Sequence, residues 1–509
     1  MAAHKPWQIG LSHSNSQPVC SVACKGNIYS GCNGYIHETD PETGTVNGYV
    51  DLSNLVGKPS GEECTWDVTV ATANNEDALI VGFQGWVFRF EPGTLRVIWR
   101  TSLPSTGYKT VSLAVSGTKV YAGTVGRVYK LDYVTGGILH LNGLPERKEK
   151  HVELCYGEFW GHLGVGTNGY FILLDGEDLH TIGESSLTGC GYNRVDVAVG
   201  PERFYAASQG YLYEILPESG DELIRLDPTN RQSGVTRLSV CQDKLCAGAD
   251  GQLFCLDIVS SDGDRRWTLE ENWNLTLDPG ATREAVHVLA LDGIVYASHR
   301  GYIYGYSTGS DETRLRHESL PGCGNGEVSM VAYNRYLVMG ISGMLAYCPP
   351  AIANFELQIQ QQSRWCWLAL TSSIACYYDG NQSPLRWAQC NLANSLLNQE
   401  ICCMVGSVPQ CDKRGRLFDA LTLSGNLDKV YKYPFDIEYL AEALSYARPL
   451  AAQVSTSTSG HGVIVSGIHP NGTIDVRDPS NGQTSIVSYD TLLNNYNGGF
   501  KWTATFSTK

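Results

Sequence analysis

The side chains of this sequence best suited to chemistry are a cysteine and a histidine far apart in the chain. Cys366 stands between Trp365 and Trp367, and three glutamines, Gln360, Gln361 and Gln362, precede it. His461 stands between Gly460 and Gly462, with Asp478 further on. A thiolate attacks acyl carbon readily, but it needs a base to take its proton and donors to hold the oxyanion that develops. A chain with 17 cysteines offers many thiols, so the setting of Cys366 is what singles it out. Leu370, Ile374 and Tyr377 follow it at helical spacing, which predicts a helix starting near Ser363 to Cys366 with Ser363 as its cap. The unpaired N–H groups of a helix's first turn favour negative charge, the charge a thiolate carries.

The stretch "SGHGVIVSGIHPNGTIDVRDPSNG" supplies the base. Residues 463–468 and 473–477 read as two strands joined at a Pro-Asn-Gly turn, a hairpin. His461 falls just before the first strand and Asp478 just after the second, so both approach the hairpin's open end. Glycines on both sides of His461 let another segment come close. Asp475 and Asn481 compete with Asp478 as the imidazole's partner, and His469, in the turn, reads as a solvated loop residue.

These residues need a scaffold, and 509 residues are too many for one ordinary core. Hydrophobic residues make up 42% and charged residues 17%, while 55 glycines and 28 tyrosines favour strands and tight turns over long helices. A repeat fills the first 350 residues. Strand-like segments meet at a glycine in "IYSGCNGYIHETD", "VYAGTVGRVYKLD", "VYASHRGYIYGYS" and five further copies, with turn glycines at Gly34, Gly85, Gly126, Gly169, Gly210, Gly251, Gly301 and Gly343. Their spacings of 51, 41, 43, 41, 41, 50 and 42 residues suit a four-stranded propeller blade. The expected fold is therefore an all-β propeller of eight blades, with seven as the alternative, followed by an α+β domain. The last repeat stops at "AYCPP" without a final strand, and "KPWQIGL" at the amino terminus looks like the missing piece. It would close the ring and remove the exposed edges. The Pro pair after Cys348 puts the domain boundary near residue 350, giving a propeller over 1–349 and a second domain over 350–509.

The formal net charge is −15, and it belongs to the first part: residues 1–350 carry 26 Lys and Arg against 40 Asp and Glu, residues 351–509 carry 11 against 12. An acidic surface repels phosphate backbones, which argues against nucleic acid and anionic membranes as partners. The amino terminus lacks the pattern of a signal peptide and no long apolar run occurs, so the expectation is no membrane insertion and a location that is cytoplasmic or reached by export without a signal peptide.

Two resemblances follow from these motifs. The form "VYAGTVGRVYKLDYVTG" resembles the blades of quinoprotein-dehydrogenase-like propellers over about residues 5–349. The Gln-rich segment, the Cys-Trp opening a helix, the Gly-His opening a strand and the later Asp-Pro resemble papain-like cysteine peptidases, especially those of the bacterial avirulence-effector type. "QCNLANSLL", the pair Cys402-Cys403, "RPLAAQV" and "GGFKWTATF" also look like that family, over about residues 356–507. The second resemblance implies a thiol protease in which Cys366 is the nucleophile, His461 the general base and later acid, and Asp478 the group that orients the imidazole. It matches Gln360, six residues ahead of the cysteine, to the oxyanion-hole glutamine, beside the Cys366 backbone N–H. The sequence lacks the Cys-Gly-Ser that precedes the nucleophile in plant and lysosomal papains and has Asp where they have Asn.

Other readings of the cysteines and acids are weaker. Cys376, Cys390, Cys402, Cys403 and Cys411 lie close in sequence, but they hold no Cys-x-x-Cys pair and no histidine falls among them, so zinc is not expected. Buried thiols, or one or two disulfides, are expected instead, in a chain whose thiols otherwise read as reduced. "SSDGDRR" at 260–266 suggests a calcium loop only faintly. No cofactor or metal is expected. The leading function is a cysteine endopeptidase acting on protein or peptide, with the propeller as a recognition module for a protein or carbohydrate ligand. The alternatives are another thiol acyl transfer (isopeptide cleavage or amide exchange), a lectin-like scaffold with a silent protease fold, and, last, a quinoprotein oxidoreductase.

Overall fold

Eight four-stranded sheets follow one another among the described residues. In the first, Cys20–Cys24, Asn27–Cys32, Tyr35–Thr39 and Val46–Asp51 pair antiparallel in sequence order. The computed structural model describes residues 6–509 apart from 16, 57–66, 74–77, 145–149, 227–235, 242–243, 250, 262–265, 278–285, 292–293, 308–313, 320–327, 334–335, 349–351, 353–354, 380–383 and 470–471. The innermost strands touch in succession around a circle, and Val328–Tyr333 of the last sheet touches Cys20–Cys24 of the first. This is an eight-bladed β-propeller, as the repeat period predicts. The faint calcium loop at 260–266 and the Pro pair at the expected boundary fall largely outside the described residues.

The repeated glycine serves the turn. Gly34, Gly85, Gly126, Gly169, Gly210, Gly251, Gly301 and Gly343 all have φ between +65° and +82°, a region where a side chain is strained. A second small residue, which the spacing argument passed over, lies just before it. A Cβ on Gly31, Gly82, Gly123, Gly166, Gly248 or Gly340 would run into Val68, Val111, Val152, Val195, Val286 or Val19 respectively, the valine that leads into the next blade's inner strand. Six of the eight blades thus let the neighbour approach at a glycine, with Ala207 and Ser298 at the same place in the other two, and the Gly340–Val19 contact joins the last blade to the first.

The eighth sheet takes its fourth strand from the amino terminus: Trp7–Gly10 lies beside Met344–Cys348, followed by Tyr336–Ile341 and Val328–Tyr333. Trp7 stacks on Tyr347 with ring centroids 5.4 Å apart, and the Leu11 N–H donates to the Gly343 carbonyl at 2.8 Å. Trp7 and Leu11 are both buried. Deleting residues 1–12 from the full chain will expose the edge of Met344–Cys348 and uncover this apolar contact, and is expected to lower Tm by roughly 10 °C. An unchanged melting curve would show that the strand contributes nothing to closure.

The chain divides into two compact units, one built mainly on residues 9–346 and the other mainly on 347–509. The second unit has five helices and six strands among its described residues: α1 (Cys366–Tyr378), α2 (Gln389–Leu397), α3 (Leu417–Ser424), α4 (Ile437–Ser445), α5 (Tyr489–Asn494), β1 (Leu427–Tyr431), β2 (Leu450–Ser455), β3 (Gly460–Ile468), β4 (Thr473–Asp478), β5 (Gln483–Ser488) and β6 (Lys501–Thr508). The sheet order is β1-β6-β2-β3-β4-β5. Every residue of α1 from Trp367 to Cys376 is buried, so α1 is a core helix. It packs against β3 and α3, and this brings its first residue to the start of β3.

Candidate active site

Cys366 is the first residue of α1, as the helical spacing predicts, and it is partly exposed. Its cap differs from the expected one. Trp365 occupies the cap position with φ −100° and no side-chain cap bond, because the Ser363 hydroxyl is spent on Asp412 Oδ2 at 2.7 Å. Asp412 Oδ1 in turn accepts the Arg364 N–H at 2.9 Å. The indole N–H groups of Trp365 and Trp367 donate to the carbonyls of Cys411 (2.8 Å) and Lys413 (3.2 Å). The two tryptophans therefore hold a loop, residues 411–416, against the start of the helix. Sequence offered no sign of Asp412, since its partners lie 48 and 49 residues away.

β3 begins at Gly460, so His461 lies inside the strand rather than before it. The hairpin register pairs Ile464 with Arg477 and Ile468 with Ile474, with a bulge between Val465 and Gly467. His461 and Asp478 meet at the open end, where His461 Nε2 lies 2.7 Å from Asp478 Oδ1. Asp478 is buried, yet fully provided with donors. Its Oδ1 also accepts the Ser480 N–H (2.8 Å) and hydroxyl (2.6 Å), and its Oδ2 accepts the Tyr496 hydroxyl (3.0 Å) and the Asn497 amide (3.4 Å).

The electrostatics of this pair favour charge. Burial opposes ionisation of His461 and is the largest single effect, but hydrogen bonds to Asp478 and to Cys366, with their charges, outweigh it and raise the imidazole to about 9. Burial likewise opposes the Asp478 carboxylate, but the bonds from His461 and Ser480 outweigh it and lower the group to about 2. With Nε2 engaged by Asp478, Nδ1 is the ring nitrogen left for the Cys366 sulfur.

Asp475 is not available to His461. It bonds His469 Nε2 at 2.9 Å, and both groups are buried. His469 is thus a core residue and not the solvated loop residue expected from its place after the hairpin's first strand; burial beside a carboxylate satisfies it. A Cβ on Gly467 would collide with the Asp475 carboxylate, so this glycine makes room for the second His–Asp pair. Asn481 caps its own turn, with Oδ1 accepting the Gln483 N–H at 2.9 Å.

The three glutamines part company. The Gln360 N–H donates to the carbonyl of Pro479, next to Asp478, at 2.8 Å, and its side-chain Nε2 donates to the Ser363 carbonyl at 3.2 Å. Its Oε1 is buried without a hydrogen-bond partner. The Gln361 N–H is held by Gln389 Oε1 at 3.0 Å, and the Gln362 amide lies against Gly406.

Cys366 and His461 open into a cavity of about 710 Å³ within the second unit. Trp367, Leu370, Leu417, Phe418, Val430 and Phe506 supply an apolar surface, while Arg364, Arg414, Arg416 and Lys432 supply cations. Gln360 lies outside this lining.

The cysteine cluster resolves as two disulfides, Cys390–Cys403 and Cys402–Cys411. Those four sulfurs cannot serve as thiolate metal ligands; of the two alternatives expected for the cluster, buried thiols or one or two disulfides, these four form two disulfides. Cys376 is buried and accepts a bond from Gln358 Nε2 at 3.5 Å. In the propeller, Asp175, Asp178 and His180 gather closely enough to bind a cation, but they are engaged in their own turn, where Asp175 Oδ1 accepts the N–H groups of Glu177 and Asp178, and Asp178 Oδ1 that of His180.

Comparison with known proteins agrees with this architecture. Two solved structures similar to the chain are propeller proteins by fold: BamB from Moraxella catarrhalis (14% identity, TM-score 0.50, covering 68% of this chain and 99% of that one) and Sqt1 from Saccharomyces cerevisiae (10% identity, TM-score 0.52, 69% and 100%). No curated protein sequence matches the chain significantly. No helix among the described residues is long and apolar enough to cross a membrane. Residues 352–497 match the family of the papain-like cysteine protease AvrRpt2, so the chain is an eight-bladed β-propeller followed by a domain similar to that family.

Proposed function

We propose that residues 350–509 are a cysteine endopeptidase with Cys366, His461 and Asp478 as its catalytic triad, and that residues 1–349 are its recognition module. One observation carries the reading: a helix-start cysteine and an imidazole that a buried carboxylate holds from one side open together on one cavity. The Cys366 proton passes to His461, and the thiolate attacks a main-chain carbonyl of the substrate. The tetrahedral oxyanion takes the Cys366 N–H, at the first position of α1, and the Gln360 amide as donors. Collapse breaks the C–N bond as His461 protonates the leaving amine, giving a thioester. His461 then takes a proton from water, which attacks the thioester and releases the acid product and the thiol. Asp478 keeps the imidazole turned with Nδ1 towards sulfur.

Gln360 suits the donor role because its backbone is tied beside Asp478. Its amide must leave the Ser363 carbonyl to reach the oxyanion, a bond of 3.2 Å that a substrate can displace. Gln360→Ala is expected to lower kcat by about 10²-fold with little change in KM. A large loss in Gln361→Ala with little in Gln360→Ala would move the donor to the neighbouring glutamine. Mass spectrometry of a proteome-derived peptide library, digested by the full chain, tests the reaction class. Endopeptidase activity gives new main-chain carboxyl termini, whereas amide exchange or isopeptide cleavage leaves main-chain bonds whole.

The propeller's part is recognition of a protein or carbohydrate partner, which raises the local concentration of substrate at the second domain. The two disulfides favour export to an oxidising compartment over a cytoplasmic location.

A further inference from the structure

We infer that the cavity beside Cys366 selects acidic peptides: substrates in which an apolar side chain is flanked by Asp or Glu near the scissile bond. This rests on the peptidase reading above. The second domain as a whole is nearly balanced in charge, yet the cavity lining contains four cationic side chains and no carboxylate. Arg416 is answered by Asp419, with Nε 2.7 Å from Oδ2. Arg364, Arg414 and Lys432 are exposed and have no ion-pair partner among the described residues.

The wall that carries Arg414 is fixed before any substrate arrives. Cys402–Cys411 ties its base, Asp412 ties it to Ser363 and Arg364, and the two indole N–H groups grip its carbonyls. Gly415 lies so close on the Trp367 ring that a Cβ there would enter it. A cation on a rigid loop loses little freedom on pairing, and discrimination follows from like charges being repelled as well as unlike ones attracted. Arg364, two residues before the nucleophile, and Lys432, just after β1, extend the same positive field. The apolar surface of Leu370, Leu417, Val430 and Phe506 takes the hydrophobic side chain between the acids.

The test uses the full chain and matched peptides that differ only in Glu, Gln or Lys beside the apolar residue of a cleaved sequence taken from the library. Glu is expected to exceed Lys in kcat/KM by at least about tenfold at low salt, with the ratio falling as salt screens the charges. In the double variant Arg414→Glu, Lys432→Glu the order is expected to reverse, an outcome that a misfolded protein cannot produce. Equal rates for the three wild-type peptides, or an unchanged order in the double variant, would overturn acidic selection while leaving the peptidase intact. A wild-type chain that hydrolyses no main-chain bond in the library would overturn the peptidase reading and this inference with it.

Discussion

Cys366→Ala and His461→Ala will each lower kcat/KM on a cleaved peptide by roughly 10⁴- to 10⁶-fold, and the double variant will be scarcely worse than either. The non-additivity is the informative part. A thiol without its base is not turned into a nucleophile, and a base without its thiol has nothing to deprotonate, so the second loss removes a function already gone. Both folds should survive. Cys366 is only partly buried and its side chain is small. Removing the imidazole leaves Asp478 with donors from Ser480, Tyr496 and Asn497, which keeps the buried carboxylate solvated by protein. Kinetics paired with melting curves check this. Turnover by folded Cys366→Ala would end the assignment, as would losses in the two single variants that multiply in the double.

The propeller was legible because its signal is repeated. A turn that needs positive φ admits glycine at low cost, so eight such turns leave eight glycines at a blade's spacing, and chance variation at one repeat does not hide the rest. The second small residue at Gly31, Gly82 and their counterparts was equally periodic, but its reason, a valine from the next blade, becomes visible only when blades are neighbours. The helix at Cys366 was legible from Leu370 and Ile374, since a core helix must place apolar residues at its period. Its cap was not. Ser363 has the right type and place, yet Asp412 competes for the hydroxyl from across a loop, and tertiary partners override local propensity. His469 failed for a similar reason: it follows a strand at a turn, where solvent is the usual neighbour, but Gly467 opens space for the Asp475 carboxylate to reach it. The tie between the tryptophans and residues 411–413 runs to backbone carbonyls, which leave no trace in residue types at all.

The pH dependence of the reaction follows from the same pair, and it offers the second large effect. With His461 raised to about 9 and Asp478 lowered to about 2, the imidazolium and carboxylate coexist through the neutral range. kcat/KM should therefore hold up through neutral pH and fall on the alkaline side near pH 9, as the imidazolium loses the proton it must give to the leaving amine. Asp478 titrates too low to set the acid limb. Asp478→Asn keeps the shape but deletes the charge, so the imidazole should fall back towards the ordinary histidine value of about 6.5. The alkaline limb then moves down by about two pH units, and at pH 8.5 the variant should lose roughly 30-fold relative to wild type beyond any loss at pH 6. Stability shifts in the same direction. The raised histidine contributes fully below about pH 6.5 and loses its contribution as pH rises through 9; the depressed carboxylate contributes above about pH 4 and loses it as pH falls through 2. The wild type's melting-temperature advantage over Asp478→Asn should thus be greatest between about pH 4 and 6.5 and decline towards pH 9. An alkaline limb that stays in place in Asp478→Asn would mean that this carboxylate only packs beside His461 and does not hold its proton.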